Sequence, residues 1–399
     1  MNLIFTSEQE DFARSLREYL DGLDLSDVMA ERKIGTAEVS EAGPRAQQLL
    51  RTMSKDGWLG VGWPKEYGGL GRSLVEQWIF VEEMTTRGLP TGGLTLTSVG
   101  PTLMRLGTEE QKSMYLPKIL AGECVFAIGY SEPNAGTDLG SLATRASLLD
   151  GEWVINGQKV WTTGAHYATH IWLAVRTGTK EDRTRGISIL IVPMDAPGIQ
   201  VRPLYTQSDG RTNEVFFDDV HVPEGNLVGD LNGGWEVIRM ALNFERLMPY
   251  SSLWRDLRRA IEHTEQEDED GTTASDDPGI RRNLAVLSAE TEVARLLCLR
   301  VAAQIDAGLV PGAESSMAKV FYTELQQRVH VAVMDAVGER ALIRVGEKSA
   351  PVGGVFERLF RSSTILKFGA GANEIQREII ATQHLGLTRS PTRVEGTAS

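Results

Sequence analysis

The chain has 399 residues, 41% hydrophobic and 24% charged, the balance of a soluble globular protein long enough for two or three packed domains. Its net charge of -13 and pI near 5.1 argue against nucleic acid as the main partner. No apolar run approaches the ~18 residues that span a bilayer, and "MNLIFTSEQEDF" lacks the basic-then-apolar order of a secretory signal. No membrane association is therefore expected. Cys124 and Cys298 read as free thiols of a reducing cytoplasm, and the scattered histidines have no metal-ligand spacing.

Up to residue 122 the apolar period is helical. In "TSEQEDFARSLREYL", Ser7 and Glu10 make a capping-box pattern, and Phe12, Leu16, Tyr19 and Leu20 form one stripe. "GPRAQQLLRTMSKDG" and "SLVEQWIFVEEMTTRG" predict two helices closed by glycine, and Thr108 opens another. Such amphipathic helices bury one face against neighbours, so the zone reads as a bundle.

Over 123–229 short strands take over: "ATRASLL", "EWVIN", "QKVWTT", "THIWLAVRT", "GISILIVPM" and "TNEVFFDDVHV". Asp150-Gly151 and Asn156-Gly157 predict hairpin turns joining the first three, since both central positions of such turns favour positive φ. Strands without intervening helices imply an antiparallel sheet or small barrel.

After Gly233 the helical period returns in four stretches, beginning with "GWEVIRMALNFERLMPYSSLWRDLRRAIEHT" as one helix. Helices of roughly 20 to 30 residues pack side by side in an antiparallel bundle. Between the first two lies "EQEDEDGTTASDD", Glu265 to Asp277, seven acids with no base, which reads as a solvated, mobile loop. The polar tail from Thr388 is expected to fray. The fold class is α+β in three parts: an N-terminal helical domain over 1–122, a central β domain over 123–229, and a C-terminal four-helix bundle over 230–399.

No GxGxxG follows a strand, and neither GxxxxGK[ST] nor GxSxG occurs, so dinucleotide, triphosphate and serine-hydrolase readings have no support. The order of the three zones resembles the acyl-CoA dehydrogenase family. "AIGYSEPNAGTDLGSLATRA" is similar to that family's flavin-binding signature, and "INGQKVWTTGAHYATHIWLAVRT" to the signature that follows it. "FFDDVHVPEGNLVG" and "NEIQREIIATQHLGL" match further segments, so the resemblance spans essentially the whole chain.

It implies FAD as cofactor, bound by Ile128, Gly129, Tyr130, Ser131, Gly136 and Thr137 of the first signature. Trp161 and Thr163 of the second, with Gly371 and Asn373 near the C-terminus, complete the implied flavin set. The chemistry agrees. A turn such as "EPNAGTD" offers backbone N–H groups to an electron-rich ring edge, three hydroxyls add donors, and Trp161 offers a flat apolar face.

The implied reaction removes a proton from Cα of an acyl thioester while hydride leaves Cβ for the flavin. In many members the base is a Glu in a Tyr-Glu-Gly-Thr turn; here that stretch reads Phe368-Gly369-Ala370-Gly371-Ala372. Alanine cannot accept a proton, although it keeps the backbone N–H that polarises the thioester carbonyl in the family. A second placement occurs in members that act on branched or bulky chains. There the Glu sits on the first helix of the C-terminal bundle, immediately before an arginine, and "ALNFERLMPY" puts Glu245 and Arg246 in that place.

The resemblance thus implies Glu245 as base, with Arg246 and Ala370 beside the substrate. Adjacent helical residues do not face each other, so Arg246 need not neutralise it. Ala370 and Ala372 leave space near Cα, which suits an α-branched or ring-bearing acyl-CoA such as a sterol side chain. The likeness is greatest to actinobacterial sterol side-chain dehydrogenases of steroid or fatty-acid catabolism. Carrier-protein-bound acyl thioesters fit the vacancy equally, and an oxidase on the same fold differs only in oxygen access.

Two family features are absent. An Arg-x-x-Phe-Gly segment that reaches a neighbouring subunit's flavin pyrophosphate is replaced by the acidic run, whose charge would repel it. A Gln-x-x-Gly-Gly-x-Gly turn is replaced by Asp335-Ala-Val-Gly338-Glu339-Arg340-Ala341, with one glycine left. The half of the site lent to a neighbour is therefore expected to be lost. That predicts a homologous dehydrogenase subunit as partner in a heterotetramer, with a flavoprotein-type electron acceptor. The rival expectation is a non-catalytic subunit of such a complex.

Overall fold

The computed structural model describes residues 4–34, 43–245, 250–267, 271–309 and 312–388. Six helices come first: α1 (Ser7–Asp21), α2 (Ser26–Ile34), α3 (Pro44–Lys55), α4 (Leu74–Thr86), α5 (Gly100–Leu106) and α6 (Glu109–Leu120). The capping box of α1 lies one residue earlier than expected. Thr6, not Ser7, is the N-cap, paired with Gln9 rather than Glu10, because "TSEQE" offers the pattern in two registers. Phe12, Leu16 and Leu20 are buried as the stripe required, and Thr108 caps α6 with Gln111.

Eight strands follow: β1 (Phe126–Gly129), β2 (Arg145–Leu149), β3 (Glu152–Lys159), β4 (His170–Arg176), β5 (Ile187–Pro193), β6 (Ile199–Tyr205), β7 (Arg211–Pro223) and β8 (Leu227–Val228). Their order is β6-β7-β3-β2-β4-β5-β8, with β1 on β4. Most pairings are antiparallel, but β1–β4 and β2–β4 are parallel, because the long flavin-signature segment between β1 and β2 crosses over instead of turning back.

Asp150-Gly151 is the predicted hairpin turn, with Leu149 opposite Glu152 and φ of 51° and 83° at the two turn residues. Asn156-Gly157 is not a turn. It is a bulge inside the continuous strand β3, where the register to β7 slips between Ile155 and Gly157. Gly157 has φ of 149°, and a Cβ there would meet Thr144 Cα at 2.6 Å, so the glycine serves close approach and not reversal. Asn156 instead bonds Asp219 of β7 through both its amide atoms. "QKVWTT" is strand only to Lys159.

Period-two alternation makes the sheet two-sided. On β4, Ile171, Leu173 and Val175 enter the β core, whereas Trp172 and Ala174 pack with the N-terminal helices. Both faces are thus covered, and residues 171–175 of β4 and 189–192 of β5 read as unbroken apolar runs.

The C-terminal part holds α7 (Gly234–Glu245), α8 (Ser251–Thr264), α9 (Pro278–Asp306), α10 (Ala313–Val337), α11 (Val355–Ser362) and α12 (Asn373–Ile379). Over the stretch expected as one long helix the structure describes α7 and α8; residues 246–249 between them lie outside the described residues. A core of Leu253, Leu257, Leu284, Leu287, Tyr322, Leu325 and Val329 joins α8, α9 and α10.

In the acidic run, the described part is ordered by its acids. Asp276 accepts the Thr273 amide at 2.9 Å, and Asp277 caps α9 through Gly279 N–H at 2.6 Å. Asp268, Glu269 and Asp270, like the tail beyond Thr388, lie outside the described residues. Both cysteines are buried and not disulfide-bonded. Among the described residues there is no cluster of metal-ligating side chains, and no helix is long and apolar enough to cross a membrane.

Candidate active site

A cleft of about 2210 Å³ runs between the three parts. That is about twice the upper range of small-ligand pockets, room enough for a dinucleotide and a long thioester together. Ile128, Tyr130, Ser131, Gly136, Thr137, Trp161, Thr163, Ala370 and Gly371 all line it. Sequence positions almost 250 apart therefore meet in one space.

Two implied flavin residues do not line the cleft. Gly129 is buried in β1, where a Cβ would meet Ile171 Cδ1 at 2.7 Å, so its smallness serves packing on β4. Asn373 is 2% exposed and lies beneath its loop, with its carboxamide spent on Lys319, Thr323 and Glu324. Both sit behind the cleft wall. The Glu245 side chain and Arg246 lie outside the described residues; the backbone of Glu245 is the last described position of α7.

The flavin-signature loop is built for close approach of an electron-rich edge. Glu132 and Ala135 spend their amides on each other, at 2.8 and 3.1 Å. The amides of Gly136 and Thr137 have no acceptor among the described residues. A Cβ at Gly136 would meet nothing within 4 Å, which leaves its backbone open to a ligand. Trp161 has φ of 60° and is 59% exposed, an unusual state for a large apolar ring. Its neighbours enforce it: Val160 N–H bonds Ser131 O at 2.9 Å, Thr162 N–H bonds Asn213 O at 3.0 Å, and Asn213 Nδ2 returns to Thr162 O at 2.9 Å. Strain held by surrounding structure is typical of a ligand clamp. Open amides, a presented indole and the Thr163 hydroxyl fit an isoalloxazine ring.

Beneath the loop sits a buried ion pair that sequence reasoning missed. Lys159 is fully buried, and its Nζ donates to Glu132 Oε1 at 2.8 Å and Tyr130 O at 3.0 Å. Glu132 also accepts the Ala143 and Thr144 amides, at 2.6 and 2.8 Å. Burial pulls the Lys159 amine down to about 8 against the pull of Glu132. Burial pushes the Glu132 carboxyl up, but the Lys159 charge and these hydrogen bonds leave it below its ordinary value. Arg176 reinforces the same segment through the Gly140 and Leu142 carbonyls. A lysine that β-strand alternation places on an inward position was the available signal.

The loop of Ala370 also lines the cleft. Ala370 adopts φ of 52° and Gly371 91°, so the chain reverses sharply there. Lys319, 2% exposed on α10, gathers the loop from below, donating to Gly371 O at 2.8 Å and Asn373 Oδ1 at 2.7 Å. With its carbonyls engaged inward, the loop keeps an Ala370 amide that has no acceptor among the described residues. Lys319 was also missed, because its buried helix face also carries Ser315, Ser316 and Thr323 and no apolar stripe marks it.

Three family models match in chain order: "Acyl-CoA dehydrogenase, N-terminal domain" over 6–123, "middle domain" over 127–220 and "C-terminal domain" over 232–385. The acyl-CoA dehydrogenase FadE26 of Mycobacterium tuberculosis is 40% identical across 98% of this chain and 100% of its own. The chain belongs to the acyl-CoA dehydrogenase family. FadE29 of the same organism is 39% identical, again over 98% of this chain and 100% of its own.

Among solved structures, the Tcur3481-Tcur3483 steroid ACAD superimposes with a TM-score of 0.89 at 38% identity, covering 98% of this chain and 100% of that one. The ChsE4-ChsE5 complex of M. tuberculosis gives 0.87 at 40% identity with the same coverage. The family is FAD-dependent, and the cleft described above is where this member's residues fit that cofactor. The protein is thus a flavin-dependent oxidoreductase acting on acyl-CoA thioesters.

The stretch expected in place of the glycine turn is a defined element. Gly338 keeps a positive φ of 72°, but the turn continues as a short 3-10 helix to Leu342. Exposed Arg340 closes it on Ser349 O at 3.1 Å, where the family has bare glycine backbone.

Proposed function

We propose that this chain carries out α,β-dehydrogenation of a bulky or α-branched acyl-CoA, of sterol side-chain type, with Glu245 as the base. The observation that carries the reading is that a turn without a carboxylate and helix α7 line the same cleft. Trp235, Ile238 and Leu242 of α7 line the cleft at helical spacing, and the same stripe continues to position 245. Ala370, which lines the same cleft, brings no carboxylate.

In the proposed step the thioester carbonyl accepts a hydrogen bond from the Ala370 amide, which acidifies Cα. The Glu245 carboxylate takes the Cα proton, and the C–H electron pair becomes the new Cα–Cβ π bond. Bound FAD supplies the hydride acceptor for Cβ. Trp78, Val81, Leu89 and Met104 give the inner cleft an apolar wall for the acyl group. Electrons then pass to a flavoprotein-type acceptor. The test is anaerobic bleaching of the oxidised flavin by matched thioesters. An α-methyl-branched, ring-bearing acyl-CoA should reduce the flavin faster than a straight chain of equal carbon number, and the reverse order would sink the reading.

Ala370→Glu should impair turnover of branched substrates. The added carboxylate fills the space near Cα, and two carboxylates in one apolar site raise one pKa markedly. Restoration of Glu245→Gln activity by Ala370→Glu with a straight-chain substrate would instead show that the pocket is not specialised for bulk.

The reading includes a homologous partner, supported by the altered Gly338 turn and the acidic segment before α9. The relatives named as paired products, ChsE4-ChsE5 and Tcur3481-Tcur3483, support it too. Co-expression with such a subunit should yield a tetramer of two chains each holding two flavins per four chains. Native mass and flavin absorbance measure this, and a homotetramer of this chain with one tightly held FAD per subunit would refute it.

A further inference from the structure

Helix α10 turns one polar face to the segment that carries Ala370. Ser316, Lys319, Thr323 and Gln327 recur at three- and four-residue intervals, so they share that face. Each is spent on residues 367–376. Ser316 Oγ donates to Gln376 Oε1 at 2.8 Å, and Gln327 Oε1 accepts Lys367 Nζ at 2.7 Å. Lys319 Nζ donates to Gly371 O at 2.8 Å and to Asn373 Oδ1 at 2.7 Å. Thr323 Oγ1 accepts Asn373 Nδ2 at 3.0 Å, with Glu324 Oε1 on the same nitrogen at 3.3 Å. Ser316, Lys319, Thr323, Asn373 and Gln376 are each 2% exposed or less. None of these α10 side chains lines the cleft.

The grip on the turn itself is made by one group. An ammonium has three N–H donors and no acceptor, and Lys319 Nζ faces three oxygens: Gly371 O, Asn373 Oδ1 and, at 3.4 Å, Lys367 O. Two of these are backbone carbonyls that bracket Ala370 in sequence. The amides of Lys367, Phe368 and Gly369 are already spent on Thr364 O and Ile365 O, at 2.9 to 3.2 Å. The first amide left open is that of Ala370, at the residue with φ of 52°. A left-handed alanine is strained and persists only where its surroundings hold it.

Packing alone does not ask for a lysine here. A methionine would fill the space between α10 and the turn without desolvating a charge. What the ammonium adds is a fixed direction for the carbonyls on both sides of Ala370.

We propose that Lys319 is a positioning residue for polarisation of the thioester carbonyl. It touches no ligand. By holding the carbonyls before and after Ala370, it keeps that residue's N–H turned to the cleft, where the acyl carbonyl oxygen accepts it. Thr323, through Asn373, keeps the lysine's second acceptor in place. The inference rests on the Ala370 amide being the carbonyl donor, and it is independent of which residue takes the Cα proton.

The experiment uses the flavin-loaded protein, with its partner subunit where assembly needs one. The probe is a β-thia-acyl-CoA labelled with ¹³C at the thioester carbonyl. Sulfur in place of Cβ has no hydride to give, so the ligand binds and stays unreacted. Isotope-edited infrared difference spectra report the carbonyl stretch, which falls as hydrogen bonds to its oxygen strengthen. In the wild type the stretch should lie below that of the same ligand in water. In Lys319→Met this downshift should shrink by about half or more, because the amide no longer holds its aim. Flavin reduction by an ordinary acyl-CoA should slow about 10- to 100-fold, the scale on which a misplaced carbonyl donor acts. The dissociation constant of the probe should stay within about threefold, since no cleft side chain changes.

Thr323→Val keeps the volume and removes the hydroxyl that Asn373 bonds. It should show the same two changes, smaller, and it carries the test if Lys319→Met fails to fold. A lysine that only stabilised the bundle would affect the yield of folded protein and leave stretch and rate per bound flavin unchanged. A wild-type stretch in both variants, whether or not the rate falls, overturns the positioning role and leaves the proposed dehydrogenation standing. A wild-type stretch no lower than in water takes the Ala370 amide off the carbonyl, and this inference falls with it. Normal reduction in Glu245→Gln would touch the base assignment alone.

Discussion

Glu245→Gln is expected to leave the fold and flavin binding unchanged and to slow flavin reduction by acyl-CoA about 10²-fold or more. General bases contribute on that scale, and 10²-fold corresponds to about 2.7 kcal/mol of transition-state stabilisation. Glutamine preserves volume and one carbonyl acceptor, so loss of rate without loss of substrate affinity isolates the proton transfer. The effect should fall on the reductive half-reaction alone, since reoxidation of reduced flavin needs no Cα base. Stopped-flow bleaching with substrate, followed separately by reoxidation with an artificial acceptor, divides the two. Near-normal reduction in the variant would take Glu245 out of the mechanism, and the empty turn at Ala370 would then mark a subunit that lends structure and not chemistry.

Much of this was legible in the sequence because the signals were local. Capping residues, the Asp150-Gly151 turn and the apolar stripe of α1 are decided within a few residues, and the structure has them where the pattern requires, apart from the shift from Ser7 to Thr6. Asn156-Gly157 failed for a non-local reason. The dipeptide permits positive φ, but the neighbouring Thr144 backbone and the register to β7 decide between turn and bulge. Of the flavin set expected from the sequence, residues such as Gly136 and Trp161 line the cleft, whereas Gly129 and Asn373 lie behind its wall, packed on β4 and bonded to Lys319. Lys159, Lys319 and Asn213 were missed together. Each is a polar group buried by tertiary contact with a distant segment, which a one-dimensional pattern does not show.

Lys159→Met is expected to be the most destabilising of the substitutions considered. It removes the cation from a buried pair and leaves the Glu132 carboxylate with only the Ala143 and Thr144 amides. Breaking a buried pair on one side costs about 3–5 kcal/mol. The loss should appear first as weakened FAD retention, because Lys159 also holds the Tyr130 carbonyl at the start of the flavin loop. The sign with pH follows from Glu132. In the wild type its folded pKa is below the unfolded one, so its contribution is present above the unfolded value and is lost as pH falls through the folded one. Without Lys159, burial is opposed only by the Ala143 and Thr144 hydrogen bonds, so the folded pKa rises from its wild-type value and the variant is hurt most at neutral and alkaline pH. The deficit against wild type should therefore shrink on acidification, where a proton replaces the missing cation. Adding Glu132→Gln removes the orphaned charge and should recover more than half of the loss, a coupling that two independent sites would not show. Thermal unfolding and FAD release for the four chains of this cycle, at acidic and neutral pH, give the answer; additive losses with no pH dependence would mean that the pair does not hold the flavin loop.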